Sequence, residues 1–211
     1  MLGQGVAAED ARALLRDSVQ RFDAPLASLQ AFQPTPAVRA ALAALAAQWP
    51  PVRAWLTAAP DKSTAVALYD TSEALQRAAH SLTLAYEQVS GTPADHFISM
   101  AGRQRMLSQR MAKFHFYRAW DIHEAAAAME LHLSRAHFTA VLIQIEGSPL
   151  ATPAVKDSVA RLRLAWEPYQ QALFNDTAPG RALATAARVA ESSERVLASA
   201  EALVALLTGP A

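Results

Sequence analysis

A short motif recurs in this chain at a spacing that constrains the fold more than any other feature. Thr35-Pro36-Ala37-Val38 returns as Thr152-Pro153-Ala154-Val155, and Trp49 and Pro51 return as Trp166 and Pro168, all at one offset of 117 residues. Ser72-Glu73 pairs with Ser193-Glu194 after a small insertion, and Phe22-Asp23-Ala24 resembles Phe138-Thr139-Ala140 one residue out of step. A fixed long period means a repeated supersecondary unit. The 211 residues are therefore expected to hold two copies of one module. The offset places one further helix, residues 95–120, at the front of the second copy. Its counterpart in the first copy would lie upstream of Met1, so the first copy is expected to lack its first helix.

The module must be helical. About a quarter of the residues are alanine, the best helix former, with Leu, Gln, Arg and Glu supplying much of the rest. Val and Ile form no alternating run. Thr-Pro is an N-cap followed by proline at the first helical position. Read from such punctuation, helices cover 8–31, 36–59 (kinked at Pro50-Pro51), 62–90, 95–120, a stretch after the turn at 121 that runs to about 146, 153–174 and 181–207. A turn falls near Asp121, and loops follow Gly147 and Asn175. The expected architecture is all-α, in antiparallel bundles joined by short connections. Residues 1–91 form a three-helix first module and residues 92–211 a four-helix bundle carrying the 95–120 helix. Trp49, Trp55 and Trp166, spaced among alanines, read as core anchors.

Several functions are disfavoured at once. There is no cysteine, hence no disulfide framework, thiol nucleophile or cysteine zinc site. Nineteen basic residues balance nineteen acidic ones, which argues against a dedicated nucleic-acid binder. No apolar run is long enough to span a membrane, so any membrane link lies in segments outside this chain. His123-Glu124-Ala125-Ala126-Ala127 lacks the second histidine of the zinc-protease motif, and Glu130, His132 and His137 make a poor ligand set. No phosphate loop, nucleophile elbow or carboxylate pair is visible. Neither an enzyme, a metal site nor a cofactor is expected.

One helix breaks the charge balance. Between His96 and Trp120 stand Arg103, Arg105, Arg110, Lys113 and Arg118, with no acid, leaving 14 basic against 19 acidic residues elsewhere. Helices ordinarily intersperse signs. At 100° per residue, Ile98, Ala101, Gly102, Ser108, Gln109, Ala112 and Phe116 lie within about 60° of Arg105. Arg103 and Arg110 point the other way. The small residues Ala101, Gly102, Ser108 and Ala112 let another helix come close. An arginine on such a stripe needs a partner: either an acid from another helix, or a bound anion. Arg103 and Arg110 are expected to pair with acids such as Glu73 or Glu191, or to add supporting charge.

The stretch from Ile98 to Lys113 resembles the signature helix of the PilJ-type sensory domain, which is similar to the nitrate/nitrite sensor domain of the NarX kinase. The shared core, Ala-Gly-x-x-Arg-Met-x-Ser-x-Arg, called the P-box, is matched by Ala101, Gly102, Arg105, Met106, Ser108 and Arg110. The resemblance implies an extracytoplasmic, periplasmic ligand-binding module of chemotaxis or two-component signalling. It implies a homodimer in which Arg105 from both subunits clamps one small oxyanion, nitrate or nitrite, near the two-fold axis. Gly102 and Ala101 would close the site, and Ser108 or Gln109 could add a hydrogen bond. No kinase or methyl-accepting region accompanies the stretch. Elementary electrostatics agrees in sign. Two guanidiniums about 8 Å apart at an effective dielectric of about 20 repel by roughly 2 kcal/mol, and a monoanion midway attracts each by roughly 4 kcal/mol. The alternative is a structural or interaction module of a pilus-linked chemotaxis receptor, with Arg105 salt-bridged internally and no small ligand.

Overall fold

The computed structural model describes residues 8–57, 61–175 and 182–209. All regular structure among them is helical: α1 (Ala8–Gln30), α2 (Pro36–Thr57), α3 (Lys62–Ser90), α4 (Pro93–Ala119), α5 (Glu124–Gly147), α6 (Pro153–Phe174) and α7 (Ala182–Thr208). The chain divides into two compact units, residues 1–92 and 93–211. The end expected for the second helix at 58–59, and the loop expected over 176–180 with the helix start at 181, lie outside the described residues.

In the first unit α2 packs on both α1 and α3. Its buried residues Val38, Leu42 and Leu45 meet Leu82 of α3, with Phe22, Leu26 and Leu29 of α1 against them. Trp49 stacks on Phe22 at 4.1 Å between ring centroids and donates its indole N–H to Asp23 at 2.6 Å. Asp61 caps α3 by accepting from the Thr64 amide. Gly91 ends it with φ near +61°, a conformation that only glycine adopts without penalty, and returns its N–H to the Glu87 carbonyl.

The second unit is a four-helix bundle. α4 packs along α5 and α7, α6 packs along α7, and α5 meets α6 at a few places. Helices of 22 to 27 residues joined by turns as short as 120–123 and 148–152 must run antiparallel to their chain neighbours. The α4–α5 turn uses two non-glycine left-handed residues, Asp121 and His123, which let Ile122 drop into the core. Tyr169, Phe114, Phe138, Leu107 and Met111 are the largest of the fully buried side chains.

The sequence repeat is a repeat of packing. Val38, Leu42, Leu45 and Trp49 of α2 are buried, and so are Val155, Val159, Leu162 and Trp166 of α6 at the same offset. Phe138 stacks on Trp166 at 4.5 Å and 29° between rings, as Phe22 does on Trp49 at 28°. Thr35 and Thr152 cap the two helices identically, each accepting from the amide three residues on. α1 matches α5 through Ala11/Ala127, Leu15/Leu131, Ser18/Ser134, Phe22/Phe138, Leu26/Leu142 and Leu29/Ile145. α3 matches α7 through Thr64/Thr185, Ser72/Ser193, Glu73/Glu194, Ala79/Ala200 and Leu82/Leu203. The register changes fall between helices, where chain length is free to vary.

Two local expectations need correction. α4 starts at Pro93 rather than 95, because proline at the first helical turn gives up a donor that has no partner there anyway. Trp55 is not a core anchor: its ring lies on the outer side of α2 and is exposed, while Trp49 and Trp166 are buried.

Candidate functional site

α4 carries the P-box-like stretch, and the bundle determines which way each of its residues faces. Phe97, Ala101, Gln104, Leu107, Ser108, Met111, Ala112, Phe114, His115 and Tyr117 are buried. That arc is wide because α4 lies against two long neighbours, and each buries its own strip of the surface. Polar links fasten α4 on both sides. Toward α5, Gln104 donates to the Phe138 carbonyl at 3.2 Å. Arg110 binds Glu130 at 2.9 Å and Ser134 Oγ at 3.2 Å, with its guanidinium 4.9 Å from the Phe114 ring centre. Toward α7, Gln109 donates to the Ser193 carbonyl and His115 hydrogen-bonds Thr185. From α6, the Tyr169 hydroxyl donates to the Ser108 carbonyl at 2.7 Å.

The stripe expected around Arg105 is therefore divided. Ala101 and Ser108 point into the bundle and have no exposed surface. The Ser108 hydroxyl is turned back onto the Arg105 carbonyl at 2.8 Å, so it does not face outward. Gln109 sits at the edge, half-buried, with its amide spent on α7. Gly102 is half-buried and Arg105 is exposed. The Arg105 guanidinium folds over Gly102: one of its terminal nitrogens lies 3.7 Å from where a Cβ would stand. Among the described residues, the Arg105 and Arg103 side chains make no hydrogen bond or ion pair. The stretch thus brings Arg105 and Gly102 together at the surface and keeps Ala101 and Ser108 beneath them as packing.

Arg110 pairs with Glu130 across the α4–α5 contact, and Glu191 is held by Arg195 one turn along its own helix. Helical-wheel geometry of α4 alone gives Arg110 a direction but cannot name an acid on another helix. The same limit hid Tyr169 and Gln104, whose partners are backbone carbonyls and leave no trace in a motif.

Burial shapes the electrostatics beside α4. Tyr169 is held well above the ordinary tyrosine range because its ring and hydroxyl are enclosed. Glu194 is raised by burial and then by the nearby charge of Glu201, with the Gln109 amide opposing the shift. On the far side, Glu146 and Arg163 tie α5 to α6 through a two-pronged ion pair. That pair lowers the carboxyl and raises the guanidinium.

In this helical bundle α4 is fastened on two sides, by α5 and α7, and shows Arg105 to solvent. The family described as the type IV pili methyl-accepting chemotaxis transducer N-terminal domain, PilJ, matches residues 90–205, more than half the chain. The chain belongs to that family, whose members are chemotaxis-transducer sensory and signalling domains, not catalysts. Such domains are typically extracytoplasmic. No curated protein and no solved structure matches the chain. Among the described residues no helix is long and apolar enough to cross a membrane.

Proposed function

We propose that the PilJ unit senses a small planar oxyanion, nitrate or nitrite, in the periplasm, with Arg105 as the charge that receives it. The observation that carries this reading is the contrast between two P-box arginines. Arg110 is shielded and bound to Glu130 and Ser134, whereas Arg105 is exposed and engages no acid among the described residues. A guanidinium offers two parallel N–H donors, which fit a planar oxyanion with two oxygens at the right separation. Gly102 leaves the ground beside Arg105 clear. The homodimer follows from charge. Two Arg105 groups across a two-fold axis repel until an anion lies between them, so ligand and dimer stabilise each other.

Residues 8–90 are read as a second module of the same kind, since α1, α2 and α3 reproduce the packing register of α5, α6 and α7. Signalling is by binding alone, with no chemistry on the ligand.

Titration calorimetry with sodium nitrate, run against sodium chloride at equal ionic strength, tests the reading. Wild type is expected to give a saturable heat that Arg105→Ala abolishes and Arg110→Lys retains. Equal heats from wild type and Arg105→Ala refute it. The alternative, a ligand-free structural module, requires an internal ion pair for Arg105. It predicts a clear loss of stability in Arg105→Ala and no nitrate heat in any variant.

A further inference from the structure

Between α6 and α7 the bundle leaves a cleft of about 520 Å³ that opens to solvent and, among the described residues, is lined by these two helices alone. That is far more room than nitrate fills, and it lies in the range of small-molecule sites. Pro168 and Ala172 of α6 give the cleft an apolar wall. Its floor holds the hydroxyl of Ser192 on α7, a residue only 6% exposed. Among the described residues that hydroxyl has no hydrogen-bond partner. Buried hydroxyls ordinarily find one, as those of Ser193 and Ser108 do on their own helices. Arg188 and Asn175 stand together at one end of the cleft, and neither side chain makes a hydrogen bond or ion pair among the described residues. At the other end, about 10 Å further along α7, Arg195 is already held by Glu191 at 2.6 Å.

The repeat supplies an internal control. In the register that matches Thr64 with Thr185 and Ser72 with Ser193, Arg188 and Arg195 correspond to Ala67 and Ala74, whereas Glu191 and Ser192 correspond to the similar Asp70 and Thr71. In the register that matches Trp49 with Trp166, Pro168 is kept as Pro51, Gln171 corresponds to Ala54 and Ala172 to Trp55. The fold of the module therefore requires neither guanidinium. Relative to the first unit, α6 gives up an indole at the wall of the cleft, and α7 gains two cations beside the space.

We propose that the cleft between α6 and α7 binds a small organic monocarboxylate, received by Arg188 with the Asn175 amide and the Ser192 hydroxyl. All three groups donate hydrogen bonds, and a carboxylate has the lone pairs to accept from each while the guanidinium takes both of its oxygens. Arg188, Arg195 and Glu191 leave the cleft one positive charge in excess, which a monoanion cancels and a dianion overshoots beside Glu191. The carbon body of the ligand lies on Pro168 and Ala172, in the space that the alanine leaves. The Glu191–Arg195 pair closes the far end and is neutral as a unit. An inorganic anion would satisfy the donors but leave the apolar wall wet. The site is on α6 and α7, whereas Arg105 is on α4, so it stands independently of the anion reading.

Sodium acetate, sodium lactate and sodium hexanoate are suitable probes, each titrated into the full chain against sodium chloride at equal ionic strength and followed by proton–nitrogen correlation spectra. At least one is expected to shift the amides of 171–175 and 188–195 saturably and to leave those of 101–109 in place. Arg188→Ala removes an exposed side chain that has no partner among the described residues, so the fold is kept. It is expected to weaken the binding roughly tenfold or more. Ser192→Ala, which removes one oxygen from the floor, is expected to weaken it less, and Arg105→Ala to leave it unchanged. The proposal is overturned if none of the three probes gives a saturable shift, or if wild type and Arg188→Ala bind equally. Shifts confined to 101–109, or lost in Arg105→Ala, assign the carboxylate to α4 and overturn it as well.

Discussion

Replacing Arg110 by alanine separates the α4 arginine bound within the bundle from Arg105, which faces solvent. The variant loses a charge-assisted bond to Glu130 at 2.9 Å, a bond to Ser134 at 3.2 Å and the stacking over Phe114. Exposed pairs contribute about 0–1 kcal/mol, and breaking a fully buried one costs about 3–5 kcal/mol. The Arg110 and Glu130 side chains are 16% and 28% exposed, so the pair belongs between these limits, and Glu130 regains some water once it is alone. The expected loss is about 2 kcal/mol. For a unit of this size that lowers Tm by roughly 6–10 °C. Arg105→Ala, which removes an exposed side chain with no ion pair among the described residues, is expected within about 0.5 kcal/mol of wild type. Scanning calorimetry or thermal circular dichroism on the two variants reads the difference. A double-mutant cycle with Glu130→Ala is expected to return a coupling of about 1 kcal/mol or more. Equal losses from the two arginines, or a loss below about 0.5 kcal/mol at Arg110, would show that the Glu130 contact is not what holds α4 to α5.

Other outcomes follow from the surroundings of α4. Tyr169→Phe removes the hydroxyl bond to the Ser108 carbonyl without opening a cavity, and is expected to cost about 1 kcal/mol in denaturant melts, with unchanged helix content. Glu194 has its folded pKa raised by burial, so its contribution to stability is full below the ordinary glutamate range and is lost as pH rises through its raised native value. Glu194→Gln is therefore expected to raise Tm at pH 7 and to converge with wild type near pH 4; an equal gain at both pH values would contradict the burial argument. Gly102→Ala meets only the Arg105 guanidinium, at an ordinary contact distance, and gains helix propensity. Thermal melts are expected to show a stabilisation of up to about 1 kcal/mol. Destabilisation there would mean that the glycine serves a close approach that a single copy does not show.

Much of the architecture is legible in the sequence. Alanine content and Thr-Pro or Gly-Thr-Pro punctuation located seven helices, because caps and breakers act within a few residues of where they stand. The repeated Trp and Thr-Pro-Ala-Val carried the two-unit plan, since the same local pattern must bury the same face. The excess of basic residues set the 95–120 helix, α4, apart from the others. Its internal roles were not legible. Ser108 and Ala101 share a stripe with Arg105 on the helical wheel, yet they point into the bundle.

The sequence alone determined helix, repeat and family, all of which rest on interactions within a turn or on residue identity. Only the tertiary structure decided which arginine is bound and which is free. That depends on how wide an arc of α4 is covered by α5 and α7, and on Glu130 and Ser134 arriving from a helix about 20 residues further along the chain. A wheel drawn for one helix specifies directions at 100° steps; what lies in each direction is supplied by its neighbours.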